Sequence, residues 1–185
     1  MKSVTREEIL DYVTYAEQRG AIRESAMEAK DLRRVHAGPH LTFLFENRET
    51  IRYQILEMVR SEQMVREADI RHELETYNAV LGAEGELGAT LLIEIEEPER
   101  REVLLRQWRD LPGHIALVLA DGTRVPARWD AAQMSEEKLS SVQFLIFPVG
   151  RGARPAELRV DHPALEARVT FGPTLRDALA RDIQG

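Results

Sequence analysis

Cysteine is absent from this sequence. No disulfide, thiolate metal site, iron–sulfur cluster or cysteine nucleophile can therefore be built from it. Histidine is scarce, with 5 residues, so any metal would also need Asp, Glu or backbone oxygen. Long apolar runs are missing too. The stretch 115–120 is among the longest and is far too short to span a bilayer. An excess of basic residues is lacking: the formal net charge is −7, which disfavours nucleic acid and anionic membrane as partners. The opening residues MKSVTREEIL lack the apolar core of a signal peptide, so a cytoplasmic location is expected. Neither a Walker loop, G-x-G-x-x-G, H-E-x-x-H nor G-x-S-x-G occurs, which leaves no nucleotide motif and no familiar catalytic one. The glycines of 82–88 carry no following Lys-Ser/Thr and read as a flexible connection.

What is present points to a folded chain. Hydrophobic residues make up 43% and charged residues 31%, a globular balance, and 185 residues suit a single domain spanning 1–185. Thr5, with Glu8 three residues on, suggests a capped helix ending at Gly20. A second helix is expected over 22–35, broken by Ala37-Gly38-Pro39. Residues 41–45 read as a buried strand. Asn47 caps a helix over 48–67 whose apolar residues cover a wide face, as in a helix packed on more than one side. A shorter helix over 69–77 follows.

Strand signals dominate the second half: 89–95, 142–149, 157–161 and 167–170, with a Pro98-initiated helix to 108. Residues 114–120 and 123–128 flank Asp121-Gly122 and suggest a two-residue type I′ hairpin. Thr174 caps a terminal helix. The expected fold is α+β, with a helical N-terminal half packed on a mainly antiparallel sheet from the C-terminal half.

Polar residues concentrate between Gly38 and Glu62. A buried strand there runs into a helix through Glu46-Asn47-Arg48, a junction where backbone N–H groups are free. On the helix, Gln54, Glu57 and Ser61 form a narrow polar stripe between apolar flanks, facing either a pocket or solvent. His40, Glu46, Glu57 and His162 are candidate ligands for a divalent metal, with Glu94 as a fifth. Asn47, Arg48, Arg52 and Gln54 are candidates for binding an anionic small molecule. Internal pairing of the arginines with neighbouring glutamates is the competing reading.

Arg33-Arg34-Val35, Gly38-Pro39-His40, Phe45-Glu46-Asn47-Arg48, Gln54-x-x-Glu57-Met58, Tyr77-Asn78, Ala89-Thr90 with Ile93-Glu94, and Asp161-His162-Pro163 are spread over nearly the whole chain. On these residues the sequence resembles the bacterial domain of unknown function 3501 family (DUF3501). It departs at Ala164-Leu165, where a Tyr is expected after His162-Pro163. The family carries no activity to transfer. The resemblance implies an association with bacterial redox or oxidative-stress systems, and hence a redox protein partner. Two functional expectations stand side by side. One is a non-enzymatic accessory or interaction protein. The other is a metal-binding protein or metal-dependent enzyme in which His40 and His162 converge with the glutamates. Binding of an anionic small molecule is a third.

Overall fold

The structure is a computed structural model that describes residues 3–130 and 137–184. Its elements are α1 (Tyr12–Asp31), β1 (Arg34–Ala37), β2 (Leu41–Phe45), α2 (Arg48–Ser61), α3 (Glu67–Leu81), β3 (Leu87–Ile93) and α4 (Pro98–Gln107). They continue with β4 (Ile115–Leu119), β5 (Arg124–Pro126), β6 (Val142–Phe147), β7 (Pro155–His162), β8 (Leu165–Thr170) and α5 (Pro173–Gln184). The fold is α+β, with three helices in the first half. The strands divide into two antiparallel sheets, ordered β1-β2-β3-β6 and β5-β4-β7-β8. A two-way backbone bridge between Arg128 and Ile146 joins their edges. Among the described residues no helix is long and apolar enough to cross a membrane.

Alternation along the strands of the first sheet creates two different surfaces. Leu41, Phe43 and Phe45 of β2, with Ala89 and Leu91 of β3 and Leu145 of β6, join the buried residues of the second sheet in one core. Leu44, Thr90 and Phe144 lie on the other face, opposite one another by register, since Leu44 pairs Thr90 and Thr90 pairs Phe144. Helices α1 to α3 cover that face with a second core around Tyr15, Ile51, Ile55, Leu56 and Val59. Because both faces of β2 are covered, all five of its residues are buried and, Thr42 apart, the strand is apolar throughout.

Several local expectations change. Gly20 does not end a helix. It lies inside the twenty-residue α1, where a Cβ would meet nothing within 4 Å. Thr5 and Glu8 do form a capping box, but on a 3-10 turn, Arg6–Glu8. Asp11 starts α1 instead, accepting the N–H groups of Val13 and Thr14. Val35, expected at a helix end, lies in β1. The hairpin after β4 has a three-residue loop rather than type I′. Leu119 N–H bonds Thr123 O, Gly122 N–H bonds Leu119 O, and Gly122 alone takes positive φ, at 88°. That is a turn closed by a left-handed glycine, which matches the strand twist with one residue of special conformation rather than two. Gly88 has the opposite constraint: a Cβ there would lie 1.6 Å from Val80 O, so the end of α3 rests directly on β3.

Helices α1 and α2 are held by an ion pair at their interface. Arg19 donates to both Glu57 oxygens, at 2.8 and 3.0 Å, and Tyr15 donates its hydroxyl at 2.5 Å. These donors, Arg19 first, lower the Glu57 carboxyl to about 2 against partial desolvation. A depressed carboxyl stabilises the fold fully above its ordinary value near 4.5 and loses that contribution as pH falls toward 2. We therefore expect Glu57→Gln to lose about 2 kcal/mol at pH 7, allowing for the half-exposed Arg19. The deficit should shrink between pH 4.5 and 3 in urea unfolding. An equal deficit at both ends of that range would show that the ionised carboxylate is not the cause.

Candidate functional site

Where β2 passes into α2, the helix-facing side of the first sheet is not fully packed. A cavity of about 270 Å³ lies there. Its floor is the row Leu44, Thr90 and Phe144, extended by Leu92 and Val142. Its walls are Lys30 from α1, Ile51 and Gln54 from α2, and Tyr77 and Val80 from α3. The i,i+3 spacing of Ile51 with Gln54, and of Tyr77 with Val80, turns each pair to one side of its helix. Most of this lining is apolar, and its polar groups come from five separate elements or junctions.

Glu46 carries the strongest constraint. It follows β2 and is 6% exposed. Its backbone N–H bonds Gly88 O at 2.9 Å, which extends the β2–β3 ladder by one residue. One carboxyl oxygen accepts the Thr90 hydroxyl at 2.6 Å and the other is bonded to the Thr50 hydroxyl. Desolvation raises the Glu46 carboxyl, opposed by those hydroxyls and by Lys30. The Lys30 ammonium sits 5.0 Å from the centre of the Tyr53 ring, a cation–π contact that favours its charged form. Burial lowers Lys30, while the charges of Glu46 and Glu57 raise it. Burial also raises the Tyr77 hydroxyl, with the Gln54 side chain acting in the opposite sense. The cavity thus brings together a cation, a carboxyl, an amide and a phenol on apolar walls.

The residues singled out from sequence separate into three groups. Gln54 and Glu46 line the cavity. Asn47, Arg48 and Arg52 serve the fold. Asn47 caps α2 by accepting Thr50 N–H at 2.9 Å. Arg48 pairs with Glu8 and Arg52 donates to Glu8 O at 3.1 Å, so both fasten the N-terminal segment to α2. Glu57 belongs to the α1–α2 interface, and the expected stripe breaks up: Ser61 donates to Met58 O on the surface.

Among the described residues, His40, Glu46, Glu57 and His162 do not come together as one metal-ligand group. His40 is on the surface, with Nδ1 3.3 Å from Glu94 O and Nε2 3.4 Å from Arg100, tilted against Trp108. Glu94 itself accepts the Thr42 hydroxyl at 2.5 Å. His162 is buried at the far end of β7, in the other sheet. The partners of the four differ: Glu46 bonds Thr50 and Thr90, Glu57 bonds Tyr15 and Arg19, His40 meets Glu94 and Trp108, and His162 meets Asp110.

His162 does have acidic company. Among the described residues, ligand atoms of Asp110, His114 and His162 lie within 4.8 Å of one another. Nε2 of each histidine is 3.1 Å from an oxygen of Asp110, and the two rings meet edge to face at 5.0 Å. These contacts, that of His162 first, hold the exposed Asp110 carboxyl below its ordinary value. The ring orientation argues against a metal. Ala164 N–H donates to His162 Nδ1 at 3.1 Å, which fixes Nδ1 as the acceptor and Nε2 as the N–H that donates to Asp110. A metal at Nε2 would require the other tautomer, with a proton on Nδ1 facing the Ala164 proton.

Lys30, Thr90 and Tyr77 were not singled out as site residues. Thr90 and Tyr77 do stand within the shared motifs Ala89-Thr90 and Tyr77-Asn78. Lys30 gave no signal in an Ala- and charge-rich helix. Asp110 and His114, at i,i+4, could have been read as a pair.

A family model described as "Protein of unknown function (DUF3501)" matches residues 3–183. A crystal structure from Burkholderia pseudomallei K96243, described as a novel protein of unknown function, is similar at a TM-score of 0.88. The two share 30% sequence identity over 98% of this chain and 100% of that chain. No curated protein matches.

Zinc titration checks the tautomer argument. We expect only weak, non-stoichiometric heat at neutral pH, unchanged in His162→Ala. One tightly bound zinc per chain, lost in that variant, would contradict it.

Proposed function

The chain belongs to the DUF3501 family of proteins of unknown function, and on that footing we propose that it is a non-catalytic binding module for a small molecule with an apolar body and a polar end. The observation that supports this is the cavity in which Lys30 and Glu46 face a mostly apolar lining. Its volume of about 270 Å³ suits a compound near the small end of the range for ligand pockets. A lysine ammonium and a buried carboxyl cost free energy wherever they leave water, and a core built for stability alone would replace them with apolar residues. Their retention in the lining of one cavity is best explained by a ligand whose polar end meets this pair of charges. Gln54 and Tyr77 add an amide and a hydroxyl to orient it.

Binding is favoured over turnover because the Glu46 carboxyl is already held by the Thr50 and Thr90 hydroxyls, and among the described residues of the lining no Ser, His or Asp appears. Beside redox enzymes, as the family resemblance implies, such a module would sense or present a metabolite. It has no cysteine through which to relay electrons.

Val142 provides the test. It lines the rim and is 42% exposed, so a larger side chain can enter the cavity without disturbing the sheet. We expect saturation-transfer NMR against mixtures of small aliphatic and aromatic compounds to find binders that Val142→Trp loses at unchanged melting temperature. Binders that the variant retains in full, or no binder at all, would count against the cavity as the site.

A further inference from the structure

On the reading of the cavity as a binding site, the charge its ligand carries follows from the groups that face it. With Lys30 as an ammonium and Glu46 as a carboxylate, the groups facing the cavity sum to zero. Gln54 of α2, Tyr77 of α3 and Thr90 of β3 contribute no net charge. Beyond the lining, Arg34 disfavours and Glu57 favours the Lys30 ammonium, and the carboxylates of Glu73 and Glu62 act on Tyr77, so no further net positive charge meets the cavity from these groups. An anion entering this space would leave one uncompensated negative charge against apolar walls, which is expensive. A proton on Glu46 removes that cost.

The hydrogen bonds around Thr50 already accommodate such a proton. Thr50 Oγ1 accepts Asn47 N–H at 3.0 Å and lies 3.0 Å from Asn47 O, besides its contact with Glu46. Its single hydroxyl proton therefore has two acceptors to choose between. When Glu46 is ionised, Thr50 donates to it. When Glu46 is protonated, the carboxyl donates to Thr50 Oγ1, and the Thr50 hydroxyl turns to Asn47 O. Every donor and acceptor stays satisfied in both states with no heavy atom displaced. Thr90 donates to the other Glu46 oxygen throughout. A carboxylate held by an arginine, as Glu57 is, has no such second arrangement.

We propose that the cavity binds a small monocarboxylate with an apolar body, its carboxylate on Lys30, and that each anion enters together with one proton taken up by Glu46. No bond to carbon is made or broken. The proton comes from solvent and returns to it when the anion leaves. The apolar body lies over Leu44, Leu92 and Phe144.

The probes are hexanoate and benzoate, compared with hexanamide and benzamide, which keep the shape and lose the charge. Calorimetry in two buffers of different ionisation enthalpy counts the protons. The acids should bind at least tenfold more tightly than the amides, with close to one proton taken up per acid. Their affinity should rise about tenfold for each unit that pH falls between 8 and 6. Lys30→Met should abolish the preference for acids. Glu46→Gln, which imitates the protonated carboxyl, should still bind acids but with no proton uptake and no pH slope. A merely structural Glu46 would give weaker binding with the slope intact. If Glu46→Gln fails to fold, the wild-type proton count decides alone. Amides binding as tightly as acids, or acids binding without proton uptake, would overturn the proposal and leave the cavity reading standing. Absence of binding by both sets would overturn both.

Discussion

The buried carboxyl of Glu46 is the constraint around which the helical side of this molecule is arranged. It stands one residue beyond β2 and one before the cap of α2. Its backbone continues the ladder to β3, and its two oxygens hold a hydroxyl from α2 and a hydroxyl from β3. Strand end, helix start and neighbouring strand are thereby fixed to one side chain. A carboxyl placed there cannot be sealed by apolar contacts, because desolvation without compensation is too costly. The helices stop short of the sheet at this point and a cavity results, with Lys30 supplying the opposite charge.

The rest of the fold keeps this polar region apart from the main core. Alternation in β2 sends Leu41, Phe43 and Phe45 toward the second sheet, and Thr42, Leu44 and Glu46 toward the helices. One face packs as a dry layer of apolar side chains, reinforced by edge-to-face contact between Phe45 and Phe171. The other holds the cavity. Elsewhere the charged groups are tied into the frame. Arg33 makes a two-point ion pair with Asp182, at 2.7 and 3.0 Å, which links the end of α1 to α5. Asn78 grips both backbone groups of Val4. Lys30, by contrast, rests on the ring of Tyr53.

Much of the frame was legible in the sequence because local chemistry determines it. The run 41–45 is β2 to the residue, and Asn47 caps the helix after it. Gly20 misled because a glycine at the end of an apolar pattern usually stops a helix, whereas here the stop signal that counts is the change to strand at Arg34. The junction at Glu46 could be seen to be polar, but its purpose could not. Whether Glu57 and Gln54 share a pocket depends on which neighbour covers each side of α2, and that is decided by the packing of α1 and α3. Lys30 lies sixteen residues before Glu46, with two strands begun between them, so no spacing rule connects the two. The expected metal group of His40, Glu46, Glu57 and His162 failed for the same kind of reason: which side chains surround each of them is a long-range property.

The most direct measurement is a carbon-detected NMR titration of the Glu46 carboxyl in the unliganded protein. The account predicts a midpoint above the ordinary range for glutamate, because desolvation outweighs the two hydroxyl bonds. It also predicts a further rise in Lys30→Met, because that ammonium favours the ionised form. A midpoint at or below the ordinary range, indifferent to Lys30→Met, would mean that Glu46 is well solvated and does not face Lys30 across a common cavity.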